Sequence, residues 1–147
     1  MIRPYEAADL EDVQTSWAAA SAVAHPFLSE EFMARERRNS AEIYLPQAET
    51  WVWESDGRVV GFISFLDHEV GGIFVDPSHQ RPGIGQALMD RARERCGTLE
   101  LEVFEANRIG RAFYDRYGFR LVKRGLHVDT EQKVLRLRWA IDERSDA

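Results

Sequence analysis

The apolar positions along the chain change period several times, and each change marks an element. Ile2 to Glu6 reads as a short first strand. From Asp9 the spacing turns helical, with Leu10, Val13, Trp17 and Ala20 recurring every three or four residues and Asp9 as the expected N-cap. Ala24-His25-Pro26 breaks that helix, because proline biases the residue before it away from helical dihedrals. Ser29-Glu30-Glu31 suits the start of a second helix, with its carboxylates at the positive end of the dipole; this helix is expected to end before Pro46.

Two strands follow, Thr50 to Glu54 and Val59 to Leu66, and Asp56-Gly57 between them is a hairpin signal. A further strand spans Glu69 to Val75. The turn Asp76-Pro77-Ser78 and a glycine loop then lead into an amphipathic helix with Ile84, Leu88 and Ala92 on one face. Leu99 to Phe104 alternates as a strand, Asn107 to Tyr117 is helical, and Gly118 ends that helix. Phe119 to Lys123 and Val134 to Trp139 are the last two strands. The order βααβββαβαββ predicts an α/β (α+β) fold, a mixed central sheet with helices on both faces.

Composition narrows the function classes. A chain of 147 residues is expected to form one domain over 1–147 with a core of its own. The net charge of −6 argues against a nucleic-acid partner and favours a cationic or neutral one. The single cysteine, Cys96, excludes a disulfide within the chain and reads as a small buried hydrophobe. The first residues lack a signal-peptide core, and no apolar run approaches the roughly 20 residues of a membrane span, so a cytoplasmic protein is expected. No set of side chains has metal-ligand spacing, and no metal is expected.

The chemistry concentrates between Ile73 and Phe119. The strand Ile73-Phe74-Val75 feeds a turn, and Gln80-Arg81-Pro82-Gly83-Ile84-Gly85 opens directly onto a helix. A helix N-terminus presents unpaired N–H groups and about half a positive charge, which suits a phosphate. Gly83 and Gly85 carry no side chain to hold a phosphate off, and Pro82 is tolerated where the N–H has no intrahelical partner. Farther on, Leu101-Glu102-Val103-Phe104-Glu105-Ala106-Asn107 is followed by Tyr114 and Gly118-Phe119. Ile109, Phe113 and Tyr117 form an apolar stripe, and Tyr114 lies about 100° from it, on the helix flank.

Both segments resemble signatures of the GNAT superfamily of N-acetyltransferases. The loop matches Q/R-x-x-G-x-G/A together with its preceding strand and Asp-Pro turn. The second segment matches L-x-V-x-x-x-N-x-x-A-x-x-x-Y-x-x-x-G-F, with Gly110 where alanine is usual. His25-Pro26-Phe27-Leu28-Ser29 and Tyr44-Leu45-Pro46 are similar to the small bacterial YjaB-type subgroup. The resemblance implies the GNAT fold and acetyl-CoA as co-substrate. The cofactor would be held by Ile73, Phe74 and Val75, by the loop Gln80, Arg81, Pro82, Gly83, Ile84, Gly85 and Gln86, and by Asn107. Tyr114 is then the general acid toward the leaving sulfur, and the acceptor is a primary amine of a small molecule or a protein.

The residue that takes the amine proton stays open. The resemblance offers Glu69, eleven residues before Gln80, and Glu102, five before Asn107; His68 has a suitable intrinsic pKa. His25 and Phe27 sit where this family borders the acceptor. A solvated glutamate or an ordinary histidine is the default for each. Three rival readings remain: a non-catalytic acyl-CoA-binding module, a transferase of another acyl group or to a hydroxyl acceptor, and a generic phosphate or nucleotide binder. A homodimer is compatible with the fold, though no heptad points to one.

Overall fold

Residues 1–79 and 83–140 are described by a computed structural model. In chain order the elements are β1 (Ile2–Pro4), α1 (Leu10–Ala24), α2 (Glu30–Asn39), the short turn α3 (Leu45–Gln47), β2 (Glu49–Ser55), β3 (Arg58–Leu66), β4 (Glu69–Val75), α4 (Ile84–Cys96), β5 (Leu99–Phe104), α5 (Arg108–Tyr117), β6 (Arg120–His127) and β7 (Gln132–Trp139). The strands form one mixed sheet in the order β1-β2-β3-β4-β5-β7-β6. The β4–β5 pair is parallel and the others are antiparallel.

Alternation along the strands loads both faces. Ile63, Leu99, Leu101 and Val103 pack with Leu88, Met89 and Ala92 of α4, and with Phe113, Tyr114 and Tyr117 of α5. On the opposite face Val52, Val59 and Phe62 meet Val13 of α1 and Leu45. Ser55 pairs with Arg58 across Asp56-Gly57, whose φ values of 52° and 77° are those of a type I′ turn. Among the described residues no helix is long and apolar enough to cross a membrane.

Three expectations shift. Asp9 stands at the start of α1, but its carboxylate turns backward, accepting the Glu6 N–H at 2.8 Å and two bonds from the Arg3 guanidinium at 2.9 Å. Asp9 therefore caps the turn before the helix instead of the helix itself. After α2 the helical path does not stop short of Pro46. It runs through a π-turn at Ser40–Tyr44 into α3, where proline occupies the first turn and its missing N–H breaks no ladder bond. β6 extends to His127, longer than the pattern indicated. It is an edge strand exposed along nearly its whole length, so neither face imposes alternation.

The feature that positions the site is a split in the sheet. β4 follows β3 as far as Val75, with a bulge where Phe65 pairs with Val70 and Ser64 with Gly72, leaving Gly71 as the extra residue. With β5 it pairs only at Glu69, opposite Glu100. Two carboxylates directly opposed would repel, and Arg136 of β7 separates them. It grips Glu69 with both terminal nitrogens and Glu100 through Nε at 3.0 Å. Beyond this clasp the strands diverge.

Arg136→Met is expected to cost about 1–3 kcal/mol in urea unfolding, since it leaves partly buried carboxylates facing each other. Raising the salt concentration should narrow the difference from the wild type by screening that repulsion. A salt-independent difference would mean that packing of the arginine stem, not charge, holds the clasp.

Candidate active site

The split exposes backbone. Asp76 donates its N–H to Val60 O at 2.8 Å, and this fixes the phase of the β3–β4 ladder. By alternation Phe74 and Gly72 turn their N–H and C=O groups to β3, whereas Ile73 and Val75 turn theirs into the gap. Phe74, read from sequence as a backbone partner for a ligand, is thus committed to the sheet and offers only its ring. The gap belongs to a cleft of about 1460 Å³, above the roughly 300–1,000 Å³ of ordinary small-molecule sites and suited to a long, extended ligand. Ser21 of α1 lines it, with a buried hydroxyl that has no protein partner among the described residues.

At the mouth of the gap α4 begins. Gln80, Arg81 and Pro82 lie outside the described residues. Gly83 is the N-cap at φ 102°, a left-handed conformation that disfavours a side chain, and a Cβ there would meet nothing within 4 Å. Gly85 has a different reason to be glycine: a Cβ would press on the Phe113 ring at 3.2 Å, so its smallness brings the start of α4 against α5. Ile84 points into the core, leaving only its backbone toward the cleft, and Gln86 lies exposed on the first turn.

The opposite wall is α5. Asn107 is its N-cap, and Oδ1 accepts the Gly110 N–H at 2.9 Å. Tyr114 is seven residues on, nearly two turns, and so shares a face with Asn107. Its ring is wedged edge-on between Phe113 and Phe119. No protein group among the described residues hydrogen-bonds the hydroxyl, and burial pushes its pKa up to about 12. Ile109, expected in the apolar stripe, is instead exposed at the cleft rim, where the first turn of α5 lines the cleft and does not pack on the core.

A third group stands on the α1 side. His25 ends α1 and lies edge-on to Phe27 and Phe104. Its Nε2 is 3.2 Å from Asn107 Nδ2, and burial lowers its pKa to about 4. Phe104 also meets His127, a residue that carried no sequence argument and arrives here from β6. Glu102 shares the Phe104 face of β5, lines the cleft, and has no ion pair among the described residues. Glu69 also lines the cleft, at its closed end, but is held by Arg136. His68 is not brought into this group. It sits in the β3–β4 turn, with Nδ1 3.0 Å from Thr98 O.

Cys96 stands nearby, donating to Asp67 O at 2.9 Å, and burial pushes its thiol pKa up, so it is no ready nucleophile. Among the described residues no cluster of three or more His, Cys, Asp or Glu could hold a metal.

Comparison with known proteins agrees with this architecture. Residues 13–119 match the acetyltransferase (GNAT) family. The peptidyl-lysine N-acetyltransferase YiaC of Escherichia coli is 30% identical over 142 residues, covering 96% of this chain and 97% of that one. The solution structure of apo-form YjaB from Escherichia coli superposes with a TM-score of 0.82 at 25% identity, over 95% of this chain and 96% of that one. The PaiA N-acetyltransferase from Thermoplasma acidophilum, solved in complex with coenzyme A, gives a TM-score of 0.72 at 21% identity, over 92% and 96%.

The lowered pKa of His25 has a signed consequence. An unfolded histidine takes up a proton near pH 6.5, while the folded one resists until about pH 4. The stability tied to a neutral His25 is therefore complete above about pH 6.5 and is lost on acidification, by about 2 kcal/mol at pH 5. Urea unfolding at pH 7 and pH 5 should show this loss in the wild type and its absence in His25→Gln; equal losses in both would refute the assignment.

Proposed function

The chain belongs to the acetyltransferase (GNAT) family, and on that premise we propose that it moves the acetyl group of acetyl-CoA directly to a primary amine, the ε-amine of a lysine in a peptide or protein. The observation that carries the reading is the split between β4 and β5, with backbone along one side that has no strand partner among the described residues, a helix N-terminus at its mouth and a protonated tyrosine on its far wall. We read residues 1–147 as a single domain, in keeping with the nearly full-length match to YiaC.

Acetyl-CoA supplies an activated acetyl thioester and a sulfur leaving group. In this reading the Ile73 and Val75 N–H and C=O groups pair with the pantetheine arm, and one of those N–H groups polarises the thioester carbonyl. The amides of Gly83, Ile84, Gly85 and Gln86 face the pyrophosphate. Gln80, Arg81 and Pro82 join them on the strength of the motif alone. Asn107 retains one N–H and one carbonyl lone pair after capping α5 and meeting His25, enough to hold one amide of the arm.

Tyr114 keeps its proton at neutral pH and can release it to the departing sulfur. An ordinary thiol has a pKa near 8.5, but burial raises the proton affinity of a thiolate too, which narrows the gap to a tyrosine near 12. For the amine proton we favour Glu102 over Glu69. Both Glu69 carboxylate oxygens are engaged by Arg136, whereas Glu102 lines the cleft with no ion pair among the described residues and its oxygens are open to an incoming amine. Phe104, Phe27 and His25 would flank the aliphatic stem of the lysine, with the Glu102 charge drawing its ammonium group inward. His68 has no place in this assignment.

Tyr114→Phe should lower kcat about 10²–10⁴-fold with an unchanged acetyl-CoA dissociation constant. Glu102→Gln should reduce kcat for a lysine peptide more than Glu69→Gln does, while Glu69→Gln should register chiefly in stability. Calorimetric titration of acetyl-CoA into the wild type and Gly83→Glu comes first: binding that the variant loses supports the loop, and no binding by the wild type would sink the reading.

A further inference from the structure

The hydrogen bonds around Asn107 form a closed chain of donors and acceptors. The Gly110 N–H can only donate, so the Asn107 side chain must offer it oxygen, as the 2.9 Å contact to Oδ1 records. The amide nitrogen then faces His25 Nε2 at 3.2 Å and donates to it. Nε2 must present a lone pair, so the imidazole is neutral and carries its proton on Nδ1. A flipped amide would set N–H against N–H at Gly110, and a protonated His25 would set N–H against the Asn107 amide.

This chain depends on a residue where the sequence departs from the usual motif. A Cβ at position 110 would lie 2.6 Å from Asn107 Nδ2 and 3.0 Å from its Cγ. The alanine usual there would expel the amide from its present position. Gly110 therefore permits an arrangement that joins the end of α1 to the start of α5 across a separation of 82 residues.

We propose that His25 is a positioning residue for the cofactor: through its Nε2 lone pair it fixes the Asn107 amide, which Gly110 makes room for, in the orientation that meets the pantetheine arm. The inference rests on the reading of Asn107 as a cofactor contact. It also makes His25 the shared member of two walls, since the same ring packs on Phe27 and Phe104 beside the acceptor.

The test measures acetyl-CoA dissociation constants for the wild type, His25→Leu, His25→Gln and Gly110→Ala at a temperature where all are folded. Leucine fills the space without an acceptor and should weaken binding about fivefold, the worth of one ordinary hydrogen bond. Glutamine offers an acceptor at similar reach and should recover most of that loss. Gly110→Ala should weaken binding to a like degree although alanine is the better helix former, so that affinity and helix propensity move in opposite directions. The His25→Leu, Gly110→Ala double variant should bind no worse than about twofold below the weaker single variant, because both break one linkage. In nitrogen NMR the wild-type His25 should carry its proton on Nδ1 at pH 7. Leucine binding as well as histidine, full additivity, or a proton on Nε2 would each overturn the proposal. Failure of the wild type to bind acetyl-CoA would instead strike the cofactor reading beneath it.

Discussion

A parallel strand pair that stops after one residue is the constraint on which the rest depends. β4 and β5 meet at Glu69 and Glu100 and then separate, and the separation leaves the inward N–H and C=O groups of Ile73 and Val75 without strand partners among the described residues. Unpaired backbone inside a protein is costly unless something else satisfies it. The bulge at Gly71 bends β4 away, and the Arg136 clasp defines where bending starts. An extended ligand with its own amides would fit there as a third strand, and in the proposed reading the defect in the sheet is also the binding surface.

The local parts of this arrangement were legible in the sequence. Asp56-Gly57 set its hairpin, the bounds of β5 followed from alternation, and the glycine loop led directly into α4, because each depends on neighbours a few residues away. Tyr114 could be put on the flank of its helix, beside the Phe113 and Tyr117 positions, from spacing alone. What could not be read was every fact that joins distant segments. Arg136 reaches Glu69 across 67 residues, and this contact separates two carboxylates that had looked equivalent. The direction of the Phe74 backbone depends on the ladder phase set by Val60. His127 joins the cleft only because β6 lies beyond β7, and a strand exposed on both faces has no pattern to announce its length.

Glycines illustrate the same division. Gly83 and Gly85 read alike as room for a phosphate, yet only Gly83 borders open space. Gly85 is small because the Phe113 ring presses on it, which couples the helix at the mouth of the cleft to the helix that carries Tyr114. A motif can be matched correctly while one of its letters serves packing.

α5 gathers these constraints. Its N-terminus is capped by Asn107, and its C-terminus closes with the Gly118 and Phe119 N–H groups on the Tyr114 carbonyl, at 3.1 and 3.0 Å. One face carries Asn107, Gly110 and Tyr114 toward the cleft. On the core side Phe113 and Tyr117 pack inward, with the Tyr117 hydroxyl donating to Asp90 of α4 at 2.6 Å. Both ends and one face are thus fixed before any ligand arrives. The Tyr114 hydroxyl, which has no hydrogen-bond partner among the described residues, and the remaining hydrogen-bonding positions of Asn107 are held two turns apart on a rigid rod; in the proposed reading that fixed spacing would let one helix both grip an extended thioester and protonate its sulfur.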